Sequence, residues 1–149
     1  VNELKNHLMF FFTGISRYSS EIAKTKIKNF PNRKKQLTTM YQMVDESISI
    51  LNSKNTSIDQ FGQLLDDSWR LKKELSDDVS NSHIDEIYGV ARSAGAIGGK
   101  ILGAGGGGFM ILFAKPEHQS DIKKRLNDLL YVPFDFEHSG SQIILNQRT

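Results

Sequence analysis

The sequence predicts an α+β domain in which helices pack on one face of an antiparallel sheet. Three observations carry this. Short apolar runs of strand length lie far apart in the chain, amphipathic segments of helical period fill the interval, and the C-terminal end alternates apolar with polar residues. With 149 residues, 38% of them hydrophobic, the chain can bury one proper core, so a single domain over residues 1–149 is expected.

The elements follow in order. Residues 7–12 are large and mostly apolar, closed by Thr13 and Gly14, which predicts a buried strand and a turn. Residues 16–30 place Tyr18, Ile22, Ile27 and Phe30 on a helical stripe that Pro31 ends. Leu37, Met40, Tyr41, Val44, Ile48 and Leu51 share one face of a second helix. Ser57 with Gln60 fits a capping box, and Phe61, Leu64, Leu65, Ser68, Lys72 and Leu75 then continue the face of a third. Residues 76–82 are a polar loop in which Ser82, followed by Asp85, can cap a fourth helix with Ile84, Ile87, Ala91 and Ala94 inward. Its far half continues through Gly95, Ala96, Gly98 and Gly99, small enough to let another backbone come close. Residues 103–108 must turn, and residues 109–114 are an apolar segment of strand length. Pro116 opens a helix carrying Ile122, Leu126, Leu129 and Leu130 inward. Val132, Phe134 and Phe136 alternate before a turn at residues 139–141 into residues 142–145, which predicts a closing hairpin. The order of strand, four helices, strand, helix and two strands suits a ferredoxin-like sheet with additional helices on one face.

Composition narrows the function. The 19 basic and 17 acidic residues nearly balance at +2, so charge does not imply nucleic acid, and Lys24, Lys26 and Lys28 with Arg33-Lys34-Lys35 read as a solvated helix face. No run approaches the ~18–20 apolar residues of a membrane span and no signal peptide opens the chain, so no membrane partner and a cytoplasmic location are expected. Zero cysteines exclude disulfides and thiol chemistry. His7, His83, His118 and His138 show no ligand spacing, and Asp66-Asp67 and Asp77-Asp78 lack a partner motif, so neither a metal site nor a catalytic residue is assigned. A first residue of Val1 suggests a processed chain or a piece of a longer one.

The glycine run carries the chemistry. Gly103-Ala104-Gly105-Gly106-Gly107-Gly108 matches G-x-G-x-x-G, yet a dinucleotide fingerprint needs a strand before it and a helix after it, and the reverse is predicted here. A Walker loop fails because Phe109 and Met110 stand where Lys and Ser or Thr belong. What remains is a turn without side chains, free to adopt positive φ and to bring N–H groups against another backbone or an anion.

The run from Gly98 to Phe109 resembles the third motif of the GHMP kinases, the superfamily of galactokinase, homoserine kinase, mevalonate kinase and phosphomevalonate kinase. The segments at residues 13–17, 68–76, 84–88 and 133–134 resemble the C-terminal half of D-glycero-D-manno-heptose 7-phosphate kinases. The resemblance implies a kinase C-terminal domain whose full-length enzyme uses ATP and Mg2+ on a sugar phosphate. The family's nucleotide loop, Pro-x-x-x-Gly-Leu-Ser/Gly-Ser-Ser-Ala, belongs to an N-terminal domain, and none of Pro31, Pro116 and Pro133 leads into one. By resemblance, residues Gly103, Ala104, Gly105, Gly106, Gly107 and Gly108 would support that missing loop, and this chain alone should be inactive. Arg17, at a helix start, together with Lys72 and Lys73 are the candidates to bind the substrate phosphate. Trp69 beside them is expected to pack. The competing reading is a stand-alone ferredoxin-like module that binds or senses a small molecule. An RNA-binding version is disfavoured because residues 107–111 lack the aromatic pattern such sheets display.

Overall fold

The computed structural model describes residues 2–14, 19–137 and 139–143. A short helix α1 (Asn2–His7) leads into β1 (Leu8–Phe12). Then follow α2 (Ser19–Asn29), a 3-10 turn (Phe30–Asn32), α3 (Lys34–Asn52), α4 (Asp59–Lys73), a second 3-10 turn (Asp77–Val79) and α5 (Ser82–Ser93). The chain closes with β2 (Ala96–Ile101), β3 (Phe109–Ala114), α6 (Pro116–Arg125) and β4 (Leu130–Tyr131). The sheet order is β2-β3-β1-β4, with every neighbouring pair antiparallel. That is the ferredoxin-like arrangement, with α2, α3 and α4 inserted ahead of α5.

The core lies between the sheet and α5, α6 and the second half of α4. Met9 and Phe11 of β1, Met110 and Leu112 of β3 and Ile101 of β2 bury against Ile84, Ile87 and Ala91 of α5, Ile122 of α6 and Trp69 of α4. The inward face expected for the fourth helix is the one observed: Ile84, Ile87, Ala91 and Ala94 are all buried.

Several expectations are corrected. The fourth helix stops at Ser93, Gly95 turns with φ +105, and the small residues beyond it form strand β2. Gly98 is small because α4 lies directly on the strand, where a Cβ would fall onto the carbonyl oxygen of Gly62, and Gly99 because β3 crowds it, where a Cβ would sit 2.6 Å from the carbonyl oxygen of Ile111. The cap of α5 is Asn81, whose side chain accepts from the N–H of Ile84 at 3.0 Å, and not Ser82. At α4 the Ser57 hydroxyl accepts from Asp59 N–H at 3.2 Å, and no side-chain cap forms. The closing hairpin gives way to pairing with β1: Tyr131 opposes Phe11, Leu130 opposes Phe12, and Val132 N–H donates to Phe10 at 2.9 Å. No strand follows through residues 132–137, and the predicted last strand falls partly outside the described residues. Leu130, read as inward, is exposed.

The predicted second helix forms as α3, but most of its apolar stripe is uncovered. Its contact face is Met40, Met43, Ser47 and Ile50, while Tyr41, Val44, Ile48 and Leu51 point out, 75%, 54%, 51% and 43% exposed.

Candidate functional site: a glycine turn held by lysines

The glycine turn joins β2 to β3, so its flanks are two strands and not a helix and a strand. Leu102 N–H donates to Phe109 at 2.8 Å and closes the hairpin. The dinucleotide reading still fails, because a strand and not a helix follows the turn.

The turn is docked by its backbone. Gly106 N–H donates to the carbonyl of Val79 at 2.9 Å, and the N–H and hydroxyl of the buried Thr13 both donate to Gly108, each at 2.9 Å. Two positions require glycine outright. Gly105, at φ +111, would place a Cβ 2.8 Å from the carbonyl oxygen of Val79, and Gly106, at φ +75, would drive one into Ile22.

Lysines complete the support. Lys72, buried on α4, donates to the carbonyls of Ile101 at 2.7 Å and Gly103 at 2.8 Å, and Lys26 of α2 donates to Ala104 at 2.7 Å. Lys100 of β2 lies half-buried, 3.5 Å from the hydroxyl of Ser68. Burial, and then the charges of Lys100 and Lys26, push the Lys72 amine down to about 7. Burial also holds Lys26 and Lys100 below the usual lysine range. With these carbonyls occupied, the N–H groups of Ala104, Gly105 and Gly107 have no acceptor among the described residues. The turn is therefore donor-rich and backed by cations, a chemistry suited to an anion or to the carbonyls of another loop. Such surroundings do not fit a divalent cation, and among the described residues no group of histidine or acidic side chains could hold one.

The predicted residues separate. Lys72 meets the turn. Lys73 turns away to Asp85 of α5 at 3.1 Å, a half-exposed pair of small energetic weight. Arg17 lies outside the described residues. Trp69 packs in the core, as expected, with the ammonium groups of Lys72 and Lys73 5.9 and 5.7 Å from its ring centroid. Two participants were missed: Lys26, read as solvated, and Lys100, a lone charge in a strand of small and aliphatic residues. A network centred on the buried Asp66 ties α4 to α5. Asp66 accepts the Tyr88 hydroxyl and pairs with Arg70 at 2.7 Å, and burial followed by that hydrogen bond holds the Tyr88 hydroxyl above its ordinary range.

A ferredoxin-like domain with a glycine turn docked in this way defines a class, and sequence comparison agrees with it. The family profile described as "GHMP kinases C terminal" matches residues 49–132, more than half of the chain, and the chain belongs to that family. It is 33% identical over 126 residues to the D-glycero-alpha-D-manno-heptose 7-phosphate kinase of Campylobacter jejuni, covering 84% of this chain and 37% of that enzyme. Among solved structures, the mevalonate kinase of Methanococcus jannaschii superposes with a TM-score of 0.71 at 22% identity, over 87% of this chain and 40% of that one. A D-glycero-D-manno-heptose 1-phosphate kinase from Bacteroides thetaiotaomicron gives a TM-score of 0.55 at 20% identity, over 91% of this chain and 34% of that one. At those identities the structures establish the fold. The chain spans well under half the length of each of these relatives.

Proposed function

We propose that this chain is the C-terminal, acceptor-side domain of an ATP-dependent kinase that phosphorylates a heptose 7-phosphate at its anomeric hydroxyl, and that it is inactive alone. The observation that carries the proposal is the build of the glycine turn. The carbonyls at and beside it are tied down by Lys26, Lys72 and Thr13, its Gly106 N–H is tied to Val79, and the N–H groups of Ala104, Gly105 and Gly107, unpaired among the described residues, are left for a second loop. In this reading the second loop is the nucleotide-phosphate loop of an N-terminal domain, steadied by Gly103, Ala104, Gly105, Gly106, Gly107 and Gly108. ATP and its Mg2+ are held by that other domain, and the enzyme works in the cytoplasm. Phosphoryl transfer depends on positioning and charge stabilisation, so a chain without the nucleotide loop has nothing to transfer.

On the acceptor side, Arg17 binds the 7-phosphate, with Lys72 and Lys73 as further cationic candidates. Each charge-assisted hydrogen bond to a phosphate is worth roughly 1.5–3 kcal/mol. The test is steady-state kinetics on a full-length parent with ATP and sugar phosphate varied in turn. Gly106→Val should raise KM for ATP or lower kcat. Arg17→Ala should raise KM for the sugar phosphate about tenfold per 1.4 kcal/mol lost while leaving KM for ATP nearly unchanged. Equal losses for both substrates in Arg17→Ala would reduce that residue to a structural role. Turnover by the 149-residue chain alone would overturn the division of labour.

A further inference from the structure

We infer that the cleft between α3 and α4 binds an organic monoanion with an aliphatic body, a medium-chain carboxylate, whose head pairs with Lys100. The cleft holds about 330 Å3, at the small end of the roughly 300–1,000 Å3 typical of ligand sites. Its walls are Met40, Met43 and Val44 of α3 and Phe61 and Leu65 of α4, and Lys100 stands among them as the one charged group among the described residues. That ammonium is half-buried, and its nearest partner is the Ser68 hydroxyl at 3.5 Å, at the limit of a hydrogen bond.

The contrast with other lysines of the chain is direct. Lys5, Lys73 and Lys115 each find a carboxylate within 2.6–3.1 Å, whereas among the described residues Lys100 has none. A cation drawn out of water without a counter-charge is costly, and burial lowers its proton affinity accordingly. An incoming carboxylate would supply the missing partner, with Ser68 as a second donor. One ammonium and one hydroxyl suit a monoanion. The walls are poor in groups to answer the hydroxyls of a sugar, since the Ser47 hydroxyl that also lines the cleft donates to the Val44 carbonyl at 2.7 Å, but they bury an alkyl chain well, and the unbranched side chains of Met40 and Met43 adapt to its shape. Lys100 makes no hydrogen bond to the glycine turn, and the proposal does not depend on the kinase reaction proposed above.

The experiment is calorimetric titration of the 149-residue chain with sodium octanoate, octanol and sodium acetate near neutral pH, alongside methyl NMR of the methionines. Octanoate should bind at least about tenfold more tightly than octanol or acetate, and the methyl signals of Met40 and Met43 should shift on titration. Lys100→Met should cost octanoate about tenfold while leaving octanol binding unchanged. The methyl shifts in the unaltered chain test the site even where that variant fails to fold. Equal affinities for octanoate and octanol would overturn the proposal, as would octanoate affinity that survives Lys100→Met in a folded protein. So would a dimer seen by sedimentation that leaves octanoate unbound, which would give the cleft to a second copy.

Discussion

The glycine turn and helix α3 divide the molecule into two kinds of surface. At the turn almost nothing is apolar, yet the carbonyls of Ile101, Gly103, Ala104 and Gly108 each meet a donor and the backbone passes within contact of Val79 and Ile22. Along α3 four large apolar residues stand in a regular stripe, and that stripe faces outward. Regular hydrophobic spacing identifies a helix, but it does not say which face is covered, whereas a run of glycines marks where backbone meets backbone. Order in this domain follows close approach more than it follows apolar content.

The sharpest break of that comparison is Gly98→Val. The new side chain would have to displace the Gly62 carbonyl, part α4 from β2, and disturb both the core and the lysine that holds the turn. A loss of at least about 4 kcal/mol is expected, read as a large fall in the urea midpoint or as no folded protein at all. A midpoint within error of the unaltered chain would show that α4 and β2 are not in contact.

Next in size is a paired substitution. Trp69 is wholly buried, and Trp69→Ala should cost about 3–5 kcal/mol. Ile48 is half exposed on the outer stripe, and Ile48→Ala should stay within about 0.5 kcal/mol. Comparable losses at the two sites, measured by urea unfolding, would mean that α3 is packed along its apolar stripe after all.

Legibility in the sequence follows the same division. The inward face of α5 and the strand at residues 109–114 were readable because period and run length report one-sided or full burial directly. Strand β2 was not, because Gly98 and Gly99 argue against a strand by propensity and are there only because α4 and β3 leave no room for a Cβ. The α3 stripe was visible but its direction was not, since the covering face, Met40, Met43, Ser47 and Ile50, is set by where α4 lies. Of the site, the turn and Lys72 could be singled out. The contact of Lys26 with Ala104, 78 positions away, leaves no periodic trace, and Lys100 gave only the weak signal of a charge in a small-residue strand.

Smaller effects should separate glycines that the structure needs from one that it does not. At Gly105, φ +111 and a Cβ 2.8 Å from the Val79 oxygen make Gly105→Ala unfavourable by about 2 kcal/mol. Gly89 lies inside α5 with nothing within 4 Å of its added Cβ, so Gly89→Ala should stabilise by about 0.5–1 kcal/mol through helix propensity. Thermal melts of the two variants should move in opposite directions. A shared direction would mean that the turn tolerates a side chain or that α5 does not form as described.

The last test concerns charge at the turn, where the effect per pH unit is small. Lys72 titrates near 7 in the folded chain, chiefly because it is buried and secondly because Lys100 and Lys26 repel its charge, while an unfolded lysine titrates near 10.5. Below about pH 7 the amine is protonated in both states, and folding carries the full cost of burying it. Above that, the folded chain releases the proton while the unfolded chain keeps it until about 10.5, so the cost is progressively relieved and stability rises with pH across this window. One proton sets a ceiling of about 1.4 kcal/mol per pH unit on the Lys72 share of the slope. The neutral amine keeps two hydrogens, enough for the carbonyls of Ile101 and Gly103, so the turn stays tied as the charge leaves. Urea unfolding at several pH values from 6 to 10 should show this rise, and Lys72→Met should reduce it, leaving the same-signed contributions of Lys26 and Lys100, while losing the two hydrogen bonds. A slope undiminished in Lys72→Met would assign the titration to another group, and a fall in stability over the window would mean that the buried amine keeps its proton.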